Sequence, residues 1–369
     1  MQRIKLTNFK CFEEETIGLG DFALLSGLNG MGKSSVFQAL LLLRQSYQQG
    51  LLATNKIALN GELVSLGTAK DVLYEGANVD SVSIQIDFSE GRTGRWSALY
   101  DKPQSNVLEL SSSPQVEEFR NETLFCDSFQ YLQAERLGPR TAFPISDYAV
   151  LQHNQLGPQG EYTAYFLSQF ARKEIPNAAL AHPNASSNNL LEQVEAWIGE
   201  ICPGVRLNFV SLVDVDLVSL RYSFAAGELT SNPFRPTNVG FGLTYTLPVL
   251  AAILSLPPGG LLLVENPEAH LHSRGQVQIG ELLARAAAGG VQVLVETHSD
   301  HVLNGVRLAV KAGRIGTNQV TLQYFDRREV GRLVSRVTPL HIDRNGRIDH
   351  WPGGFFDEWD KSLEELLKP

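Results

Sequence analysis

The chain has 369 residues, 43% of them hydrophobic and 19% charged. That composition packs a core and excludes wholesale disorder, and the length suits one large α/β domain carrying an insertion, or two domains. The formal net charge is −9 and no basic run is present, so DNA contact is possible but the composition gives it no support.

In chain order, residues 3–9 read as a strand and 22–26 as a buried one. A glycine-rich turn follows, then an apolar helix over 34–49. Between 60 and 130 lie short alternating segments such as 81–88, with Gly, Asn and Asp in their turns; they predict an antiparallel sheet. Residues 141–205 differ: helical patterns over 162–174 and 190–201 flank a polar stretch at 182–189, which reads as a helical insertion with a flexible surface link. Alternation returns over 206–225. From 236 an α/β pattern resumes: a helix after Gly242, a strand over 260–265, a helix over 275–288, a strand over 291–296 and a helix over 301–312. Strands at 319–325 and 332–337 and an amphipathic helix near 357–367 close the chain.

Cys11, Cys126 and Cys202 are odd in number and far apart, without CxxC spacing. This argues against a disulfide framework and for a reducing, cytoplasmic setting. Met1 to Lys5 lack a signal-peptide core. The most apolar stretch, 246–264, carries Pro248, Pro257, Pro258, Gly259 and Gly260, so no membrane span is expected.

Chemistry concentrates in four motifs. The first, Gly27-Leu28-Asn29-Gly30-Met31-Gly32-Lys33-Ser34-Ser35, is a P-loop between an apolar strand and a helix. Its glycines let backbone N–H groups wrap phosphates, Lys33 reaches the β and γ oxygens, and the Ser34 hydroxyl ligates magnesium. The expected ligands are therefore ATP and Mg2+. The second is an apolar strand ending in Glu265, followed by Asn266, Pro267 and Glu268; such an acid can hold magnesium through water. The third, a strand ending Glu296-Thr297-His298-Ser299-Asp300, offers His298 to a γ-phosphate or an attacking water, or Ser299 or Asp300 as a helix cap. His270, His272, His298 and His301 also have spacings conceivable for zinc. The fourth, Asn238-Val239-Gly240-Phe241-Gly242, is either a second anion-binding helix start or a plain turn.

The order of these motifs resembles the ABC-type ATPase heads of the SMC, RecF and OLD families. The resemblance implies that Asn238, Gly240 and Gly242 belong to a signature motif facing the nucleotide of an opposite subunit, with His298 as the switch residue. Residues 6–12 look like the start of RecF and SMC heads, which makes Lys10 a nucleotide-side candidate. Residues 131–140 look like the segment joining the lobes of OLD-like ATPases, which makes Gln133 a candidate for sensing magnesium and water. The phrases VENPEAHLH, ETHSDHVLNGVR and WPGGFFDEW are similar to stand-alone prokaryotic OLD-like ATPases, a group often linked to phage defence. About 70 residues follow His298, too few for a TOPRIM fold beside the ATPase's last elements, so no built-in nuclease is expected. Asn266 stands where ABC heads carry a catalytic glutamate.

The expected fold class is α/β: a P-loop NTPase of the ABC-type head, with a mixed central sheet, an antiparallel β subdomain and a small helical insertion. Expected boundaries are 1–140 (first lobe), 141–205 (insertion), 206–345 (second lobe) and 346–369 (C-terminal extension). The expected function is an ATP-hydrolysing switch that dimerises on ATP and controls a separate effector protein, such as a nuclease. Glu265, Asn266, Glu268 and His298 form the catalytic set, with Ser34, Glu265 and Gln133 around the metal. An ATP-dependent scaffold with little turnover, and a small-molecule kinase, are the alternatives.

Overall fold

The computed structural model describes residues 1–227, 229–329 and 333–368. The chain forms two compact units, Met1–Cys126 with Thr317–Pro369, and Asp127–Gly316. These joints differ from the expected boundaries, and 141–205 lies wholly within the second unit.

The first unit opens with β1 (Arg3–Phe9), β2 (Phe12–Gly18), β3 (Phe22–Gly27), α1 (Lys33–Gln48), β4 (Lys56–Ala58), α2 (Ala69–Val72), β5 (Ser81–Asp87), β6 (Thr93–Leu99), β7 (Val107–Ser112) and α3 (Val116–Phe119). Six strands make an antiparallel sheet in the order β2-β1-β5-β6-β7-β4. Period-two alternation turns Val82, Ile84 and Ile86 of β5 inward, where Ile84 lies opposite Trp96 of β6.

The second unit carries β8 (Phe129–Leu132), β9 (Phe143–Pro144), α4 (Thr163–Phe170), α5 (Leu190–Gly199), β10 (Val205–Leu212), β11 (Leu217–Ala226), β12 (Leu229–Thr230), α6 (Phe241–Ser255), β13 (Leu261–Glu265), α7 (Ser273–Ala288), β14 (Gln292–Glu296) and α8 (Asp300–Lys311). Here β14, β13 and β8 run parallel, with Glu265 opposite Glu296 and Val264 opposite Leu132. Their side chains are apolar almost throughout, as strands covered on both faces require. The helices of the 141–205 stretch are built into this core: α5 buries Leu190, Val194 and Ile198, and β9 pairs with β11. Pro248, expected to interrupt its apolar stretch, sits inside α6; the helix ends at Ser255, and Leu256, ahead of Pro257, is extended, as the residue before a proline prefers. Among the described residues no helix is long and apolar enough to cross a membrane.

The chain returns to the first unit with β15 (Val320–Glu329), β16 (Leu333–Leu340) and α9 (Glu358–Leu366). β15 pairs parallel with β3 and antiparallel with β16, so this sheet is mixed. The first residue of the strand expected at 332–337 lies outside the described residues.

Candidate functional site

The phosphate-type loop of the first unit runs from the buried strand β3 into α1. Gly27, Gly30 and Gly32 have φ of 141°, 76° and 99°, a region that only glycine enters freely. A Cβ on Gly27 would lie 2.1 Å from the Phe325 carbonyl oxygen, and one on Gly32 2.5 Å from Cys11 Sγ. Both positions therefore need glycine for close approach as well as for φ. Lys33 is buried, and its Nζ donates to the carbonyls of Gly27 and Leu28, each at 2.9 Å. The ammonium thus closes the loop on itself. Asn29 and Gly30 are exposed, Ser34 is half-buried and Ser35 is buried. The first turn of α1 holds no acidic residue, which leaves the positive pole of the helix available to an anion. Lys10, in the β1–β2 turn, donates to Gln38 Oε1 of α1 at 2.7 Å, and burial lowers its ammonium below the usual lysine value.

On the second unit, the candidate acids gather at the C-terminal edge of the parallel strands. Glu265 ends β13; its Oε1 accepts from the Tyr131 hydroxyl at 2.8 Å and its Oε2 from Ala134 N at 3.3 Å. Burial raises its carboxyl above the usual range, against the pull of Tyr131, Ala134 and Arg136. Gln133 follows β8 directly, but its amide turns to the Glu135 carbonyl at 3.1 Å. The contacts to Glu265 from this segment come instead from Tyr131, Ala134 and Arg136.

Asn266 has φ 43°, a left-handed backbone that asparagine tolerates better than most residues. Its N–H donates to the Glu296 carbonyl at 2.8 Å, and among the described residues its buried Oδ1 has no donor. Glu268 Oε1 accepts from His298 N at 3.1 Å. Burial raises the Glu268 carboxyl, opposed by Thr297, His298 and Arg136. The His298 side chain is exposed. Ser299 caps α8, accepting from His301 N and Val302 N at 3.1 Å, so the capping reading of this turn holds. Among the described residues no three His, Cys, Asp or Glu side chains group around a metal position. Magnesium does not need such a cage, because it keeps waters and takes one or two protein ligands plus phosphate. An acid at a dry strand end beside the orphaned Asn266 Oδ1 fits such a hydrated ion.

Gly240 is the N-cap of α6, and a Cβ there would touch nothing within 4 Å among the described residues. Gly242 differs: a Cβ would lie 2.7 Å from the His270 carbonyl oxygen, so this glycine serves packing. Asn238 and Phe241 are exposed beside it. Two side chains here escaped the sequence reading. Tyr131 grips Glu265, and Arg136 is buried against the carbonyls of Gln133, Glu265 and Asn266 at 3.2, 2.7 and 2.6 Å. Both lie in the 131–140 segment that suggested Gln133.

A family profile described as "AAA domain, putative AbiEii toxin, Type IV TA system" matches residues 22–304. A second, "Protein of unknown function (DUF3696)", matches residues 315–366. No curated protein matches the chain. Among solved structures the chain is similar to an Smc head bound to the C-winged helix domain of ScpA, with TM-score 0.55 and 15% identity over 92% of this chain and 98% of that one. It is also similar to an Smc head domain with an extended coiled coil, bound to the C-terminal domain of ScpA and derived from Pyrococcus furiosus (TM-score 0.53, 13% identity, 100% and 99% covered). An Smc head domain with a coiled coil and joint from Pyrococcus yayanosii gives TM-score 0.50 at 10% identity, with 100% and 99% covered. The fold is that of an SMC-head-like P-loop NTPase, α/β with mixed and antiparallel sheets.

Proposed function

The chain belongs to that AAA-domain family, and we propose that it is an ATP-driven switch: it binds ATP with Mg2+, closes with a second copy of itself, hydrolyses ATP slowly, and thereby controls a separate effector protein. The observation that carries this reading is the glycine-lined loop closed by Lys33 at an acid-free helix start. Lys33 exchanges the Gly27 and Leu28 carbonyls for β- and γ-phosphate oxygens. Ser34 and Glu265 would hold Mg2+, with Gln133 near its water, and the ion would supply charge neutralisation of the phosphates. His298 senses the γ-phosphate. Asn238, Gly240 and Gly242 complete the site of the opposite copy. Asn266 Oδ1 orients water whose oxygen attacks the γ-phosphorus, Glu268 takes its proton, and the bond to the leaving ADP oxygen breaks.

We assign the chain to the stand-alone OLD-like ATPases, acting in the cytoplasm, in phage defence or a DNA-related process, and working through a partner such as a nuclease. The order of motifs and the phrases around Glu265 and His298 support this, as does the toxin–antitoxin wording of the family description. The ScpA-bound Smc heads support partner control in general. A second reading, a scaffold that binds ATP with little turnover, is favoured by Asn266, whose amide cannot act as a base. The test is light scattering with and without magnesium-ATP, beside phosphate release. ATP-driven dimers with slow phosphate release support the switch. Dimers without release favour the scaffold, and a monomer that ignores ATP refutes both.

A further inference from the structure

We infer that Arg136 is a positioning residue that couples the glycine-led start of α6 to the acid turn after β13, so that closure of a second copy on α6 sets the geometry of Glu265, Asn266 and Glu268. The inference rests on the ATP-switch reading and adds a route by which partner contact reaches the chemistry.

Arg136 is 2% exposed, yet it forms no ion pair among the described residues; its partners are three main-chain carbonyls, and its Nε has no acceptor. Burying a guanidinium is costly unless its charge is compensated. An apolar residue of the same length would fill this space more cheaply, so packing alone does not explain an arginine. Its three carbonyls belong to Gln133, Glu265 and Asn266, the residues on which magnesium and the attacking water depend in the proposed mechanism. One planar fork therefore fixes both segments at once, which a lysine cannot do.

The other face of Arg136 meets α6. Its Cζ stands 5.8 Å from the centre of the Tyr245 ring, and Tyr245 lies one turn along α6 from the exposed Phe241. The Tyr245 ring in turn lies 4.3 Å from that of His270, and Phe241 5.7 Å from it. His270 is at the far end of the acid turn and has φ 64°, as Asn266 at the near end has φ 43°. Left-handed residues at both ends are conformations that the surroundings must hold in place. Arg136 and Tyr245 are that holding contact. A shift of the α6 start therefore reaches Tyr245 first, then Arg136 and His270, and through them the turn.

The test uses the full chain with Tyr245→Leu, Tyr245→Phe and Arg136→Lys, measuring ATP affinity, ATP-driven dimerisation, kcat and thermal unfolding. Tyr245→Leu should leave affinity and dimerisation within about twofold of wild type but lower kcat about tenfold. Tyr245→Phe, which keeps the ring, should restore kcat, and Arg136→Lys should reproduce the kcat loss. A wild type that cycles while Tyr245→Leu matches its kcat overturns the relay alone. Should Tyr245→Leu fail to fold, Arg136→Lys with wild-type kcat overturns it equally. A wild type that neither dimerises nor hydrolyses sinks the switch reading and the relay with it.

Discussion

The main-chain N–H of His298 donates to Oε1 of Glu268 at 3.1 Å. The turn after β13 is thereby tied to the turn after β14, and the carboxylate best placed to take a proton shares a bond with the residue proposed to sense γ-phosphate. Burial raises the Glu268 carboxyl. The active form is the carboxylate, so turnover should fall on the acid side, with a midpoint above the ordinary glutamate range. Glu268→Gln should remove most phosphate release and abolish that limb. Fast release that survives Glu268→Gln would show that water is activated elsewhere.

Asn266→Glu should raise kcat by supplying a base. It should also cost roughly 1–2 kcal/mol of stability, because a left-handed backbone carries that penalty for glutamate while asparagine tolerates it, and Asn266 has φ 43°. Phosphate release and thermal unfolding on one preparation check both. Unchanged turnover at reduced stability would remove Asn266 from the catalytic account.

Gly240→Asp separates folding from assembly. Among the described residues nothing lies within 4 Å of a Cβ at this N-cap, and aspartate is a favoured N-cap residue. The monomer should be as stable as wild type or slightly more so, and bind ATP normally. The new carboxylate should nevertheless repel the opposite copy's γ-phosphate and block ATP-dependent dimers in light scattering. Normal assembly would refute the signature assignment.

We propose that the partner docks on the 141–205 stretch, since surface segments outside a catalytic scaffold commonly carry specificity. Deleting the whole stretch would disturb the fold, because α5 contributes Leu190, Val194 and Ile198 to the core of the second unit. Substituting the exposed Asn184 and Asn188 with arginine leaves that core intact and should abolish co-purification of the partner. Retained co-purification would move the docking surface elsewhere.

The strands and helices from β13 to α8 were legible because apolar runs end at Gly, Pro or a capping Ser. β2 was not: it carries Glu13, Glu14 and Glu15, and only Phe12 and Ile17 are buried, so its pattern resembles a charged turn. The P-loop could be read residue by residue, since its chemistry is local. Arg136 could not, because its partners are carbonyls of Glu265 and Asn266, about 130 positions away, and a carbonyl leaves no mark on residue type. The left-handed Asn266 was hidden for a related reason: the sequence shows an amide in place of an acid, while the backbone that favours asparagine appears only in the fold.

The central claim is that the loop at Lys33 holds a nucleotide. Isothermal titration of magnesium-ATP into wild type and Lys33→Ala tests it most directly. Lys33 is the cation seated in the loop, on the carbonyls of Gly27 and Leu28. The account predicts saturable binding to wild type and at least about tenfold weaker binding to Lys33→Ala, or about 1.4 kcal/mol. Equal affinity for the two proteins, both folded, would contradict it.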